Sequence, residues 1–125
     1  MKPESKFWKE VKKNTPEIKW TRLESWASFG VPDLLGYNDS CGFFMCELKI
    51  ERNNKIHLSP HQILFHTTMT KRNFILVKEA SSSSVKLYQS SAILDLQSNM
   101  KGAKVAAQDN WAAIQEALIG KDIND

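Results

Sequence analysis

Hydrophobic positions recur along the chain with two different periods. Spacing of three to four residues, the repeat of an amphipathic helix, marks three segments: 4–13, 59–72 and 109–120. Alternation or a short apolar run, the pattern of a strand, marks five more: 17–25, 31–37, 42–52, 73–80 and 85–89. The nearly continuous apolar run at 42–52 is typical of a central strand that is covered on both faces. The order α-β-β-β-α-β-β-α predicts an α/β (α+β) fold in which helices flank a central mixed sheet.

Capping signals support two of the helices. Ser59 suits the N-cap of the second helix, and Gln62 completes an S-x-x-Q capping box with it. Asp109 or Asn110 suits the start of the last helix, and Gly120 stands where a C-terminal cap belongs. These signals place the helix boundaries independently of the apolar spacing.

The composition indicates one globular domain over residues 1–125, with no internal repeat and no linker. Residues 90–108 carry no pattern that assigns them a structure. No apolar run reaches the roughly 18 residues of a membrane span, and the charged N-terminus lacks the apolar centre of a signal peptide. Cys41 and Cys46, without a C-x-x-C spacing, favour reduced thiols and a cytoplasmic location. No P-loop or G-x-G-x-x-G motif occurs, so no nucleotide cofactor is expected.

Charge is unevenly distributed, although the formal net charge is only +3. Residues 2–22 contain seven Lys and Arg against three Glu, whereas residues 105–125 contain one Lys against four acids. A basic face of this kind can follow a phosphate backbone, but a solvated helix face has the same pattern. Charge alone leaves nucleic acid as one candidate partner.

Asp33, Glu47 and Lys49 are charged residues within or beside apolar strands. Side chains alternate along a strand, so Glu47 and Lys49 face the same side. If the two strands form a hairpin through the polar turn between them, Asp33 arrives beside Glu47. Two carboxylates about 4 Å apart repel by roughly 4 kcal/mol at an effective dielectric of about 20, so one is protonated or a cation lies between them. Oxygen ligands alone favour Mg²⁺, with Mn²⁺ as a substitute. The alternative is a surface ion pair between Glu47 and Lys49 in an unrelated α+β domain.

Pro32-Asp33, thirteen intervening residues and Glu47-Leu48-Lys49 resemble the signature of the PD-(D/E)XK nuclease superfamily. The strings FGVPDLLGY, FFMCELKI and LSPHQILFH are most similar to those of small VRR-Nuc nucleases and Holliday-junction resolvases, over roughly residues 5–80. This resemblance implies a restriction-endonuclease-like αβββαβ core, followed here by an extra C-terminal hairpin strand and helix.

The resemblance also implies a role for each residue of the constellation. Asp33 and Glu47 would be metal ligands, with the backbone carbonyl of Leu48 as a third ligand. Lys49 would be the catalytic lysine. Gln62 matches a helix glutamine that lies near the site in the family, a role compatible with the capping box.

The family often adds an acidic residue from the first helix. Glu10 is the candidate in segment 4–13, and Glu24, in the loop before the proline, competes with it. A solvent-exposed helix carboxylate explains Glu10 equally well, and an ion pair with Arg22 or Lys49 explains Glu24. Sequence leaves this choice open.

Further basic and aromatic residues are candidates for contacts with phosphates or unpaired bases. They are Lys9, Lys12, Lys13, Arg22, Trp26, Lys55, His57, His61, Lys71 and Arg72. Each is explained equally by an ordinary role as an exposed cation or a packed ring. A zinc site at His57, His61 and His66 is disfavoured, because the helix begins between His57 and His61, which do not share a helical face, and no cysteine lies close.

The combined prediction is a Mg²⁺-dependent endodeoxyribonuclease that hydrolyses phosphodiester bonds and selects branched DNA such as a Holliday junction. The resemblance further implies a phage or mobile-element protein that acts in the host cytoplasm. Symmetric cutting of a junction implies a homodimer. The alternative is a catalytically silent nucleic-acid-binding module on the same fold.

Overall fold

The computed structural model describes residues 2–23 and 29–120, which contain four α-helices and six β-strands. The helices are α1 (Pro3–Asn14), α2 (Pro60–Thr68), α3 (Ile93–Ser98) and α4 (Trp111–Ile119). The strands are β1 (Lys19–Arg22), β2 (Leu34–Asn38), β3 (Gly42–Glu51), β4 (Asn73–Glu79), β5 (Val85–Gln89) and β6 (Ala107–Gln108). Among these helices none is long and apolar enough to cross a bilayer.

The strands form one sheet whose spatial order, β1-β2-β3-β4-β5-β6, is also their order along the chain. Neighbouring strands are antiparallel except β3 and β4, which run parallel and are joined through α2. A parallel pair needs a crossover because the chain must return to the same end of the sheet. The predicted αβββαβ order, with an added hairpin strand and a C-terminal helix, is confirmed.

Helices cover both faces of the sheet. On one face, α1 buries Phe7 and Val11 and α4 buries Ile114 and Leu118 against the strands. On the other face, β4 and β5 pack against α3 and its flanking turns through Ile75, Val77, Tyr88, Ala92, Ile93, Leu96, Met100 and Ala103. The central position of β3 and β4 between these two cores agrees with the apolar run at 42–52.

Helix α2 ends at Thr68, four residues before the predicted end at 72. The hydroxyls of Thr67 and Thr68 donate to the backbone carbonyl of Leu64, and such local bonds compete with helix continuation. The chain then passes through Arg72, which has a left-handed φ of 55°. The guanidinium of Arg72 donates to the carbonyl of Leu118 at 2.7 Å and so satisfies the end of α4.

Two other segments differ from the expected boundaries. Residues 90–108 contain α3 between two 3₁₀ turns, followed by the two-residue β6. Elements this short span too few repeats to show a period, which is why the sequence left them unassigned. Strand β2 begins at Leu34, so Pro32 and Asp33 precede it, as suits a proline that has no N–H for the ladder.

Candidate active site

Asp33 lies immediately before β2 and is held against the middle of β3. The register of the β2–β3 hairpin carries it to the position opposite Glu47. One carboxylate oxygen of Asp33 accepts a hydrogen bond from the backbone N–H of Leu48 at 2.8 Å. Its carbonyl accepts another from the N–H of Leu23 at 2.8 Å. Asp33 is therefore fixed between β3 and the residue that follows β1. As expected, it lies opposite Glu47.

Glu47 is enclosed, with 1% of its surface exposed, and its Oε1 has no hydrogen-bond partner among the described residues. Burial raises the pKa of Glu47 to about 10. A hydrogen bond with Asp33 and the charge of Asp33 add to this rise, Lys49 opposes it, and the charge of Glu4 contributes further. Glu47 therefore keeps its proton at neutral pH in the metal-free protein.

Lys49 projects from β3 on the same face as Glu47. Its ammonium donates to Gln62 Oε1 at 3.0 Å and lies 4.0 Å from Glu47 Oε2. The Gln62 amide nitrogen is 3.5 Å from the same Glu47 oxygen. The three side chains form a compact polar cluster in which Gln62 holds the Lys49 ammonium beside the carboxylates.

Gln62 is itself fixed by the first turn of α2. Its Oε1 also accepts the backbone N–H of Ser59 at 3.0 Å, and its own backbone N–H donates to Ser59 Oγ at 3.1 Å. These two bonds form the predicted capping box. One side-chain oxygen thus serves both the helix cap and Lys49, so the two roles considered for Gln62 coexist.

One turn further along α2, His66 anchors the helix to the segment that follows β5. The ring is fully buried, and its Nδ1 lies 2.7 Å from Ser90 Oγ. Burial lowers the pKa of His66 to about 4, and the charge of Lys49 adds to this effect, so the imidazole is neutral. This contact keeps α2, and with it Gln62, in place against the sheet. The sequence indicated His66 only as a member of the disfavoured zinc site with His57 and His61, and gave no sign of its role as a buried anchor.

The donors at Asp33 and Glu47 fit a hard divalent cation. Both are carboxylates, and the buried Glu47 Oε1 is an oxygen that a cation would satisfy. Within residues 2–23 and 29–120, no group of three His, Cys, Asp or Glu side chains is gathered to hold a metal ion. Mg²⁺ commonly takes one or two carboxylates and fills its other positions with waters and phosphate oxygens. The ligand role of the Leu48 carbonyl stays a prediction.

Glu4 and Glu10, the two acids of α1, have different surroundings. Glu10 forms a salt bridge with Lys78, which lies on the α1 face of β4, opposite to the face of β3 that carries Glu47. Glu4, in the first turn of α1, is close enough for its charge to raise the pKa of Glu47. The charge of Glu4 thus acts on Glu47, whereas the carboxylate of Glu10 is paired with Lys78. Glu24, the competing candidate, lies outside the described residues.

A cleft of about 950 Å³ opens at the same end of the sheet. Its lining comes from the first turn of α1, the end of β1 and the turn after β3, and includes Lys2, Glu4, Arg22, Arg52, Lys55 and His57. Arg22, Lys55 and His57 were predicted to contact nucleic acid. Lys2 and Arg52 were not, because nothing in the sequence indicated that the N-terminus of α1 lies beside the end of β3.

The other residues predicted to contact nucleic acid lie away from this cleft. Arg72 is half-buried and bonded to the end of α4, so it is a structural residue and not a surface cation. Of the remaining residues predicted to contact nucleic acid, five are exposed and lie outside the cleft lining: Lys9, Lys12, Lys13, His61 and Lys71. The ammonium of Lys12 lies 5.3 Å from the centre of the Trp8 ring. Trp26 is outside the described residues.

Comparison with known proteins bears on the fold. No protein-family model matches the sequence, and no curated protein matches it. Among solved structures, Hjc, a Holliday junction resolvase from the archaeal hyperthermophile Archaeoglobus fulgidus, aligns with a TM-score of 0.53. The two chains share a fold. The alignment covers 71% of this chain and 74% of the resolvase, at 15% sequence identity. The predicted restriction-endonuclease-like architecture is confirmed by this likeness.

Proposed function

We propose that this protein is a divalent-metal-dependent DNA endonuclease selective for branched DNA. The observation that carries the proposal is the pairing of the buried Glu47 with the half-buried Asp33, with Lys49 held beside Glu47 by Gln62. Two carboxylates side by side are poorly compensated by the single Lys49 ammonium, 4.0 Å from Glu47 Oε2, and a divalent cation would compensate them. The fold shared with a Holliday junction resolvase supports branched DNA as the substrate class. Assignment to the VRR-Nuc group and to phage DNA processing in a host cytoplasm rests on the sequence resemblance.

Each residue of the cluster has a defined part in phosphodiester hydrolysis. Asp33 and Glu47 would bind Mg²⁺, or Mn²⁺ in its place. When bound, such a cation supplies Lewis-acid stabilisation of the charge that develops on the phosphate oxygens. Lys49 would orient the attacking water and offset negative charge in the transition state. Gln62 keeps the Lys49 ammonium in position for this task.

Protonation of Glu47 couples the site to pH. Its carboxyl must lose the proton before it can ligate, so we expect cation binding to release a proton. Glu4 adds a third negative charge near the pair and would favour the bound cation. Burial is the main cause of the raised pKa of Glu47, and the carboxylate repulsion that adds to it would become an attraction for Mg²⁺.

The active species is proposed to be a homodimer. Symmetric cutting of a four-way junction needs two active sites related by a two-fold axis. Analytical ultracentrifugation at assay concentrations tests this point. A monomer that cuts both strands of a junction in one encounter would contradict it.

A cleavage assay tests the function directly. Four-way junction, flap, nicked, linear duplex and single-stranded DNA are incubated in parallel with Mg²⁺, Mn²⁺ or EDTA. We expect metal-dependent cutting, strongest on branched DNA, that Lys49→Ala abolishes. The matched control is Lys78→Ala, which removes a half-buried lysine from the neighbouring strand on the opposite face of the sheet. This control should cut normally.

Two outcomes would contradict the proposal. Cutting that survives Lys49→Ala would remove the lysine from the chemistry. DNA binding without cutting of any substrate, with either metal, would identify the chain as a silent nucleic-acid-binding module.

A further inference from the structure

The turn that follows β3 has an unusual and well-defined backbone. Asn53 and Asn54 have φ angles of 54° and 60°, in the left-handed region that few residues other than glycine and asparagine adopt readily. Arg52 and Lys55 exchange both of their backbone hydrogen bonds, at 2.9 and 3.0 Å. This is the geometry of a tight two-residue hairpin turn, which favours asparagine at its centre. We call residues 52–55 the basic turn.

The basic turn presents its two cations to the cleft at the active-site end of the sheet. Arg52 and Lys55 are exposed and line one wall, while Lys2 and Arg22 line other walls. The turn follows the strand that carries Lys49 without a break. A ligand in the cleft would therefore be held at a fixed offset from the catalytic cluster.

Cations outnumber acids among the described residues that line this cleft. Glu4 is the one acid among the described lining residues. Within the described part of the chain, Lys2, Arg52 and Lys55 form no salt bridge. Cations gathered on a concave surface create a positive potential that an anionic ligand relieves. The cations of this cleft come from the start of α1, the end of β1 and the basic turn. Because they are spread over three elements, they suit an extended polyanion better than a single phosphate.

We propose that the basic turn binds the phosphate backbone of the DNA arm leading to the scissile phosphate, with Arg52 and Lys55 as direct phosphate contacts. The direction of the arm rests on the proposed nuclease function. Contacts of this kind position DNA without reading its sequence, which suits selection by structure. The two backbone hydrogen bonds of the turn fix the backbone positions of Arg52 and Lys55 before DNA arrives. Less backbone freedom is therefore lost on binding.

Salt-dependent binding in EDTA tests the proposal without any chemistry. Fluorescence anisotropy measures Kd for a four-way junction and for linear duplex over a series of salt concentrations. The double variant Arg52→Gln/Lys55→Gln should reduce the slope of log K against log salt by about two, because two phosphates are no longer neutralised by the protein. The matched control, Lys19→Gln/Lys104→Gln, removes the same charge from exposed positions that do not line the cleft, and its slope should stay at the wild-type value.

A second variant tests the geometry of the turn with every charge retained. Asn54→Pro cannot adopt a φ of 60°, because the proline ring fixes φ near −65°, and we expect it to weaken binding. Equal slopes in the two double variants would overturn the proposal, and so would wild-type binding by a folded Asn54→Pro protein. If Asn54→Pro does not fold, the double variants decide, since they change only exposed side chains.

The binding test and the cleavage test fail independently. If the slopes differ but no substrate is cut, the phosphate-binding role of the basic turn is supported and the nuclease proposal is contradicted. If branched DNA is cut but the slopes do not differ, the nuclease proposal is supported and the phosphate-binding role of the basic turn is contradicted.

Discussion

Replacing Gln62 with leucine should separate two tasks that one side-chain oxygen performs. Leucine has a similar volume but removes the acceptor for Lys49 and for the Ser59 backbone N–H, both at 3.0 Å. Lys49 then keeps its 4.0 Å approach to Glu47 Oε2 but loses its 3.0 Å hydrogen bond. We expect the ammonium to lose its fixed position and the chemical step to slow.

The size of the effect follows from the two hydrogen bonds that leucine removes. A hydrogen bond to a charged group contributes about 1.5–3 kcal/mol, which corresponds to a roughly 10- to 100-fold lower kcat if it acts only in the transition state. Loss of a helix cap costs about 1 kcal/mol of unfolding free energy, or about 4 °C in Tm for a chain of this size. Gln62→Leu should show both changes.

Two capping variants supply the comparison. Ser59→Ala loses the 3.1 Å bond from the Gln62 N–H but keeps the contact between Gln62 and Lys49. Asn110→Ala loses a cap bond of the same length, 3.1 Å from the Ala113 N–H, at the start of α4 on the opposite face of the sheet. Both should lower Tm about as much as Gln62→Leu. Asn110→Ala should leave kcat unchanged, and Ser59→Ala should lower it less than Gln62→Leu.

Single-turnover cleavage of a saturating junction substrate, measured well below every Tm, gives the rates, and circular dichroism gives the melting temperatures. If Gln62→Leu melts early but cuts as fast as Asn110→Ala, then Gln62 is only a cap. The reasoning about Lys49 would then be refuted.

Three further predictions concern other parts of the fold. In metal-free buffer the folded protein keeps a proton on Glu47, whereas the unfolded chain loses it above pH 4.5. The free energy of unfolding of the wild type should therefore fall relative to that of Glu47→Gln as pH rises toward the folded pKa of about 10, by about 1.4 kcal/mol per pH unit. Urea denaturation at pH 5, 7 and 8 measures this difference, and a difference that stays the same at all three pH values would contradict the prediction. Glu4→Gln should weaken Mn²⁺ binding in calorimetry while Glu10→Gln leaves it unchanged, and the reverse ranking would restore Glu10 to the site. Gly120→Ala should lower Tm with normal cleavage, since Gly120 has φ of 61° and an added Cβ would collide with the Arg72 guanidinium; an unchanged Tm would exclude this strain.

The central residues of the site were predictable, because their placement depends on strand alternation, hairpin register and helix capping. Strand alternation puts Glu47 and Lys49 on one face, and a short polar turn fixes the hairpin register that brings Asp33 opposite Glu47. The capping box at Ser59 and Gln62 is equally local. None of these inferences required knowledge of how distant elements pack.

The features that sequence did not anticipate depend on tertiary packing. Glu4 and Glu10 are six residues apart on one helix, where each residue turns about 100°, so they point in different directions. Which of them meets the site depends on how α1 crosses the sheet, and sequence spacing does not specify that. Arg72 was predicted to be a surface cation because its partner, the carbonyl of Leu118, lies 46 residues away.

The two outermost strands constrain how a second copy of the chain can associate. Strand β1 has four residues and carries Lys19 and Arg22, and β6 has only two residues. Short, charged edges resist strand addition, because they offer few unpaired backbone groups in register and penalise a desolvated contact. The sheet is therefore closed to edge-to-edge growth. A homodimer of this protein would have to be built from helical and loop surfaces, with its two catalytic clusters set apart by helices and not by a continuous twelve-stranded sheet.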